Sequence, residues 1–195
     1  EDRTGLSHLC VARSADGLDD WTIDADRRLL PDIESELERF GIEDPRITLC
    51  GDEYMIVYTG YSTAGPLVCL ASTRDFESFE RRGTLMPPED KDAALFPCTF
   101  GGRWGLIHRP VATQPRHAAH IWLSWSPDLR HWGDHTILLP AREGAWWDAE
   151  RTPAERERRL LERVLGHLRG LPPTQREPAF GELARLRGRL GPQDA

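Results

Sequence analysis

The chain has 195 residues, 39% of them hydrophobic and 29% charged, with a formal net charge of −7. That length allows one domain with a real core, or one domain plus an appendage, and the composition is globular rather than disordered. No apolar run approaches the roughly 18 residues that span a bilayer, no basic-then-apolar leader opens the chain, and the acidic balance argues against nucleic acid as a partner.

The charge is uneven. Residues 151–195 hold ten Arg against five Glu and one Asp, a net of +4, which leaves −11 for the first 150 residues. Four cysteines, Cys10, Cys50, Cys69 and Cys98, are widely spaced with no CxxC pair. Three lie in apolar stretches, where a buried free thiol is expected rather than a bridge, and a reducing cytoplasm is the compartment this favours.

In chain order, three segments rhyme: "ARSADGLDDW" (12–21), "ASTRDFESF" (71–79) and "LSWSPDLRHW" (123–132). Each places Ser or Thr two residues before an Asp, with an aromatic four or five residues further on. The pairs are Ser14 and Asp16 before Trp21, Thr73 and Asp75 before Phe79, and Ser126 and Asp128 before Trp132. A short polar side chain followed by Asp suits a tight turn, because both can bond the backbone just beyond them. These three aspartates are read as structural, and the aromatics as packing between neighbouring units.

Strand signals precede the second and third segments. "EYMIVYTGYS" (53–62) and "GPLVCLAST" (65–73) are rich in β-branched and aromatic residues, and "RWGLIHRP" (103–110) with "HIWLSWS" (120–126) repeats the plan. Several short strands in a unit of about 50 residues match a β-propeller blade. Between them, "DIESELERF" (32–40) has room for one or two short helical turns.

"GIEDPRIT" (41–48) packs Glu43, Asp44 and Arg46 around Pro45. The residue before a proline is biased towards extended backbone, which sets Asp44 at the start of a blade's first strand rather than in a helix. A carboxylate paired with Arg46 to hold the loop and a catalytic acid are equally compatible with this spacing. His117-x-x-His120 and His131-x-x-x-His135 invite a metal reading, but neither has the HExxH pattern and both lie on strand or turn signals, so no metal is expected.

Four motifs in one order, "GIEDPRIT", "PPEDKDAALFP" (87–97), "IHRP" (107–110) and "WSPDLRHWGDH" (125–135), make the body resemble glycoside hydrolase family 130. These are the inverting β-mannoside phosphorylases and their relatives, built as five-bladed propellers, and the resemblance covers roughly residues 5–148. It implies an all-β fold, a partial propeller of about three blades in five, entered near the end of one blade; the α-helical tail that follows is read from its own leucine spacing, where the likeness ends. The division implied is 1–148 for the propeller and 149–195 for the Arg-rich tail.

The resemblance also implies a mechanism. Inverting phosphorolysis needs one acid for the departing glycosidic oxygen, since phosphate is the nucleophile. That acid falls on Asp44, although some relatives route the proton through a sugar hydroxyl. Phosphate needs fixed cations, and the matching positions are Lys91, His108 and Arg109. The family motif reads Asn-Lys-Asp where this chain has Asp90-Lys91-Asp92, an added acid that would weaken anion binding if it pointed inward. Glu43, Arg46, Tyr61, Asp92, Trp125 and Asp134 are the candidate sugar-binding residues, supplying an aromatic platform and hydroxyl partners.

The expected activity is release of mannose 1-phosphate from a β-mannoside, with inorganic phosphate as co-substrate, no other cofactor and a small oligosaccharide as partner. A homo-oligomer is compatible with the sequence. The alternatives are a β-mannoside hydrolase of the same family and a non-catalytic propeller remnant that binds sugar or nothing.

After "GAWWDAER" (144–151) the likeness stops. Leu160, Leu161, Val164, Leu165 and Leu168 fall on one helical face behind Pro153, and "AFGELARLRGRL" (179–190) offers a second short helix interrupted by Gly188. Abundant Arg, Pro, Gly and Ala fit an unrelated coding frame joined by a deletion or frameshift. The leucine stripe fits a cap over an open face, and the positive charge fits an arm for a partner.

Overall fold

The computed structural model describes residues 5–111, 120–141, 162–166, 168–170, 172, 174, 176 and 178–181. Among the described residues ten strands run in order: β1 (Leu9–Arg13), β2 (Thr22–Leu29), β3 (Ile42–Cys50), β4 (Glu53–Ser62), β5 (Gly65–Thr73), β6 (Glu80–Met86), β7 (Asp90–Phe100), β8 (Arg103–Pro110), β9 (Ile121–Ser126) and β10 (Gly133–Leu139). They form a β1-β2 hairpin and two four-stranded antiparallel sheets, β3-β4-β5-β6 and β7-β8-β9-β10, the blades of a partial propeller. By compactness the chain divides into Glu1–Pro97 and Cys98–Ala195, with β7 running from one unit into the next. Among the described residues no helix is long and apolar enough to cross a membrane.

The rhyming segments are one structural device used three times. Asp75 Oδ1 accepts from the backbone N–H of Glu77 at 2.8 Å and of Ser78 at 3.0 Å, in the β5–β6 turn. Asp16 accepts from Leu18 and Asp19 between β1 and β2, and Asp128 from Arg130 and His131 between β9 and β10. These bonds hold all three carboxyls below the usual range. The residue after each Asp is left-handed: Gly17 at φ 77°, Phe76 at 57° and Leu129 at 65°. Because the second and third copies join the last two strands of a blade, the first marks β1 and β2 as the last two strands of an earlier one.

The aromatics differ. Phe79 packs on the core of Leu29, Ile42, Tyr58, Leu67, Cys69 and Ala71, with Leu9 beside it, as the packing expectation requires. Trp21 is instead exposed, and its indole N–H bonds Leu18 O to close the turn, as Trp132 does with Leu129 O. Ile42 and Leu67 are wholly buried in the core, each contributing about 1.5–3 kcal/mol.

Residues 32–40 form successive turns rather than a helix, with bonds from Ser35 N to Asp32 O and Glu38 N to Ser35 O. The reason is Glu38, whose carboxylate is only 3% exposed. It accepts from Asp32 N at 2.9 Å, Tyr58 Oη at 2.6 Å, and Arg81 Nη2 at 2.8 Å and Nε at 3.0 Å. Burial works to raise this carboxyl, and Arg81, Tyr58 and Asp32 N–H together overcome it, so it lies below its ordinary value. The segment then hands the chain to the site: Phe40 N bonds Tyr61 O, and Tyr61 N bonds Gly41 O. Gly60 permits that approach, since a Cβ there would stand 2.7 Å from Leu37 O. Gly60→Ala should cost about 1–3 kcal/mol in denaturant unfolding, because backbone rather than a flexible side chain must give way.

In the tail, residues 162–166, 168–169 and 178–181 are helical. Val164 and Leu168, one turn apart on the expected stripe, are buried, and Leu165 is half-buried. Leu160, Leu161, Pro153, residues 182–190 and "GAWWDAER" lie outside the described residues. A cavity of about 330 Å³ lies among Leu123, Ile137 and Leu138 of β9 and β10 and Glu162, Arg163 and Gly166.

Candidate active site

In the first unit the site stands on the first strands of two blades, β3 and β7. Each carries a charged residue followed by an aspartate in the left-handed region: Glu43 then Asp44 at φ 53°, and Lys91 then Asp92 at φ 54°. The β3 pairing slips between Glu43, opposite Thr59, and Arg46, opposite Val57, so Asp44 and Pro45 form a bulge. This corrects the expectation of extended backbone at Asp44. Aspartate is among the few side chains that tolerate positive φ, and bulges redirect side chains at functional edges.

The geometry brings four of the expected residues together. Lys91 Nζ lies 3.6 Å from Glu43 Oε1, 3.7 Å from Asp44 Oδ2 and 3.5 Å from Tyr61 Oη, with the Tyr61 ring 6.0 Å away. The cation serving both acids is therefore Lys91. Arg46 is exposed and bonds Pro45 O, so the loop-holding pair with a neighbouring carboxylate does not form. Burial works to lower the Lys91 ammonium, but Tyr61, Asp92 and Glu43 together raise it, so it stays charged well above neutrality. The Tyr61 phenol is pushed up, first by burial and then by the Glu43 carboxylate that accepts its hydrogen bond. Asp90, the departure from the family motif, is buried at the head of β7.

The second unit holds the other expected residues. His108 on β8 is buried, and its Nε2 lies 2.7 Å from Ser124 Oγ. Ser124 Oγ in turn lies 2.7 Å from His135 Nδ1. Arg109 is half-buried beside it in sequence. Trp125 is buried, with the Phe100 ring 5.9 Å away edge-on and the Arg103 guanidinium 5.4 Å from its centroid. Asp134 is exposed and ion-paired with that same Arg103. Ser124 escaped the sequence reading, since a lone serine in a strand carries no signal. His135 was visible only as half of a histidine pair.

The structure separates that pair. His131 Nδ1 meets Asp128 at 2.7 Å, while His135 turns to Ser124. His120 Nδ1 accepts from Ala141 N, and His117 lies outside the described residues. Among the described residues no three metal-ligating side chains are grouped. The thiols are equally unsuited to nucleophilic work. Burial pushes Cys69 up to about 12 and Cys50 up to about 11, so both are thiols rather than thiolates at neutral pH. Cys69 is buried as expected, whereas Cys10 is exposed.

Blades whose first strands present acids and a lysine, beside a tyrosine from the second strand, are those of a carbohydrate-active propeller enzyme. The family model for β-1,4-mannooligosaccharide phosphorylase matches residues 3–153, and the chain belongs to glycoside hydrolase family 130. It is 39% identical over 143 residues to a β-1,2-mannobiose phosphorylase of Listeria innocua, covering 73% of this chain and 39% of that one. A 1,2-β-oligomannan phosphorylase of Thermoanaerobacter is 31% identical, covering 74% and 46%. The solved Listeria innocua enzyme with β-1,2-mannobiose superposes with a TM-score of 0.64 at 38% identity, over 71% of this chain and 38% of that chain. The chain thus spans less than half the length of these relatives.

Proposed function

We propose that this chain carries the acid of an inverting β-mannoside phosphorylase. Asp44 protonates the departing glycosidic oxygen while a phosphate oxygen attacks the anomeric carbon from the opposite face; the glycosidic bond breaks and mannose 1-phosphate leaves. The observation that carries this reading is Lys91, within 3.7 Å of both Glu43 and Asp44. A phosphate dianion that engages the lysine competes with both carboxylates for it. A carboxyl deprived of its counter-charge holds a proton more readily, so nucleophile binding and acid loading support each other.

The reading assigns phosphate to Lys91 and, on the family motif, to His108 and Arg109 in the second unit. It assigns sugar hydroxyls to Glu43, Arg46, Asp92 and Asp134, with Tyr61 and Trp125 as aromatic partners. Residues 1–148 are its catalytic-type domain, residues 149–195 take no part in it, and it operates in a reducing cytoplasm.

β-1,2-Mannobiose is the first substrate to try, since both relatives above 30% identity are named for that linkage. β-1,4-Mannobiose and mannosyl-glucose are the comparisons. Mannose 1-phosphate is expected only when inorganic phosphate is supplied. Free mannose formed equally well without phosphate would replace this reading with the hydrolase, and no turnover or sugar binding by calorimetry would replace it with the remnant. Lys91→Ala should raise the KM for phosphate about ten- to a hundredfold, the worth of one charge-assisted bond, in initial-rate measurements.

A further inference from the structure

The chain of contacts from His108 through Ser124 to His135 crosses β8, β9 and β10 within the second unit. Strand geometry explains how it forms. Leu106 pairs with Ser124, so His108, two residues along, is its diagonal neighbour on the same face. The β9–β10 pairing slips between Gly133 and Thr136, with Asp134 at φ 49°, and that bulge brings His135 onto the serine. Ser124 is wholly buried, His108 is 4% exposed, and His135 reaches solvent.

A serine hydroxyl has one proton, so between two neutral imidazole nitrogens it donates to one and accepts from the other. Two arrangements satisfy both contacts. In the first, His108 Nε2–H donates to Ser124, and Ser124 donates to His135 Nδ1. In the second, His135 Nδ1–H donates to Ser124, Ser124 donates to His108 Nε2, and His108 keeps its proton on Nδ1. Only in the second does a neutral His108 offer an Nδ1–H, the form an oxyanion requires as a partner.

We infer that Ser124 and His135 are positioning residues for phosphate: an oxyanion at His108 and a proton on His135 Nδ1 are coupled through the Ser124 hydroxyl. The inference rests on the reading of His108 as a phosphate ligand. No covalent bond changes. One proton passes from His108 Nε2 through Ser124 to His135 Nδ1, His135 Nε2 releases one to solvent, and His108 Nδ1 takes one from the entering phosphate or its water, so both rings stay neutral.

Histidine ¹⁵N shifts of the full chain, with and without inorganic phosphate, show which nitrogen carries each proton. Phosphate is expected to move both rings to the Nδ1–H form, and in Ser124→Ala only His108 should respond. His135→Asp can only accept, so it holds the relay in the first arrangement and should raise the KM for phosphate about tenfold with kcat changed less than about twofold. His135→Asn, which still supplies an N–H, should rescue most of that loss. The His108 and His135 rings stand 6.4 Å apart, inside the screening length of about 8 Å at 0.15 M salt, so a rise in KM counts for the relay only where the same variant also holds His108 as Nε2–H.

A His108 that keeps Nε2–H in saturating phosphate while phosphorolysis proceeds, or equal KM values for the Asn and Asp variants, would overturn the relay. The two failures separate without phosphate: His135→Asp should fix His108 as Nε2–H even in a protein that never uses phosphate. If it does so while phosphate has no effect on rate or spectrum, the relay stands and the phosphorylase reading falls.

Discussion

Asp44→Asn should lower kcat for phosphorolysis by about 10²–10⁴-fold, the usual worth of a positioned general acid. Asparagine is the informative replacement because Asp44 sits at φ 53°, where Asn is tolerated and Ala is strained. The bulge therefore survives, Glu43 keeps Lys91 paired, and the thermal midpoint should barely move. An aryl mannoside with a good leaving group needs little protonation, so on that substrate Asp44→Asn should regain most of the rate. Loss on mannobiose with recovery on the aryl substrate identifies proton donation. Equal loss on both would assign Asp44 to binding, and full activity would remove it from the mechanism.

Much of the fold was legible because its signals are local. β4, β5 and β8 coincide with stretches marked by β-branched and aromatic content. The three Ser/Thr-x-Asp turns could be read from side chains that bond their own backbone. Only Gly17 announced the left-handed step that follows, because Phe76 and Leu129 are residues that normally avoid it. The same blindness applied at Asp44: the proline rule gives the average behaviour of a pre-proline residue, and a bulge overrides it.

In the site, Glu43, Asp44 and Lys91 could be anticipated from motif order, yet their partners depended on strand register. Arg46, two residues from Asp44, looked the natural counter-charge; Lys91, 47 positions along, takes that place because it stands at the point of its first strand that Glu43, next to Asp44, holds in the strand before. Ser124 and His135 meet through a slip in pairing that no local pattern encodes. Glu38 and Arg81 look like two solvated charges in sequence, and only the fold makes them a buried pair.

That pair supports the largest stability effect expected of this chain. Arg81→Ala strips the guanidinium from a carboxylate that is 3% exposed, leaving Tyr58 Oη and Asp32 N–H as its donors. Orphaning a buried charge costs about 3–5 kcal/mol, and the lower end applies because the Arg81 side chain is 37% exposed and water can partly replace it. The double change Glu38→Leu with Arg81→Leu removes the charge and its partner together and should lie much closer to the parent protein; denaturant melts of both single variants and the double give the coupling.

The acid limb supplies an independent sign. The Glu38 carboxyl is lower in the folded chain than its ordinary value of 4.5, so its contribution is present above that value and is lost as pH falls through the folded one. Glu38→Gln should flatten that limb, and a slope unchanged by it would assign the acid sensitivity elsewhere. Because the Glu38 segment carries Phe40 N–H to Tyr61 O, Arg81→Ala should also speed amide exchange at Phe40 and Tyr61 before it does so in β5. The ion pair then acts on the site through the backbone that holds Tyr61 beside Lys91.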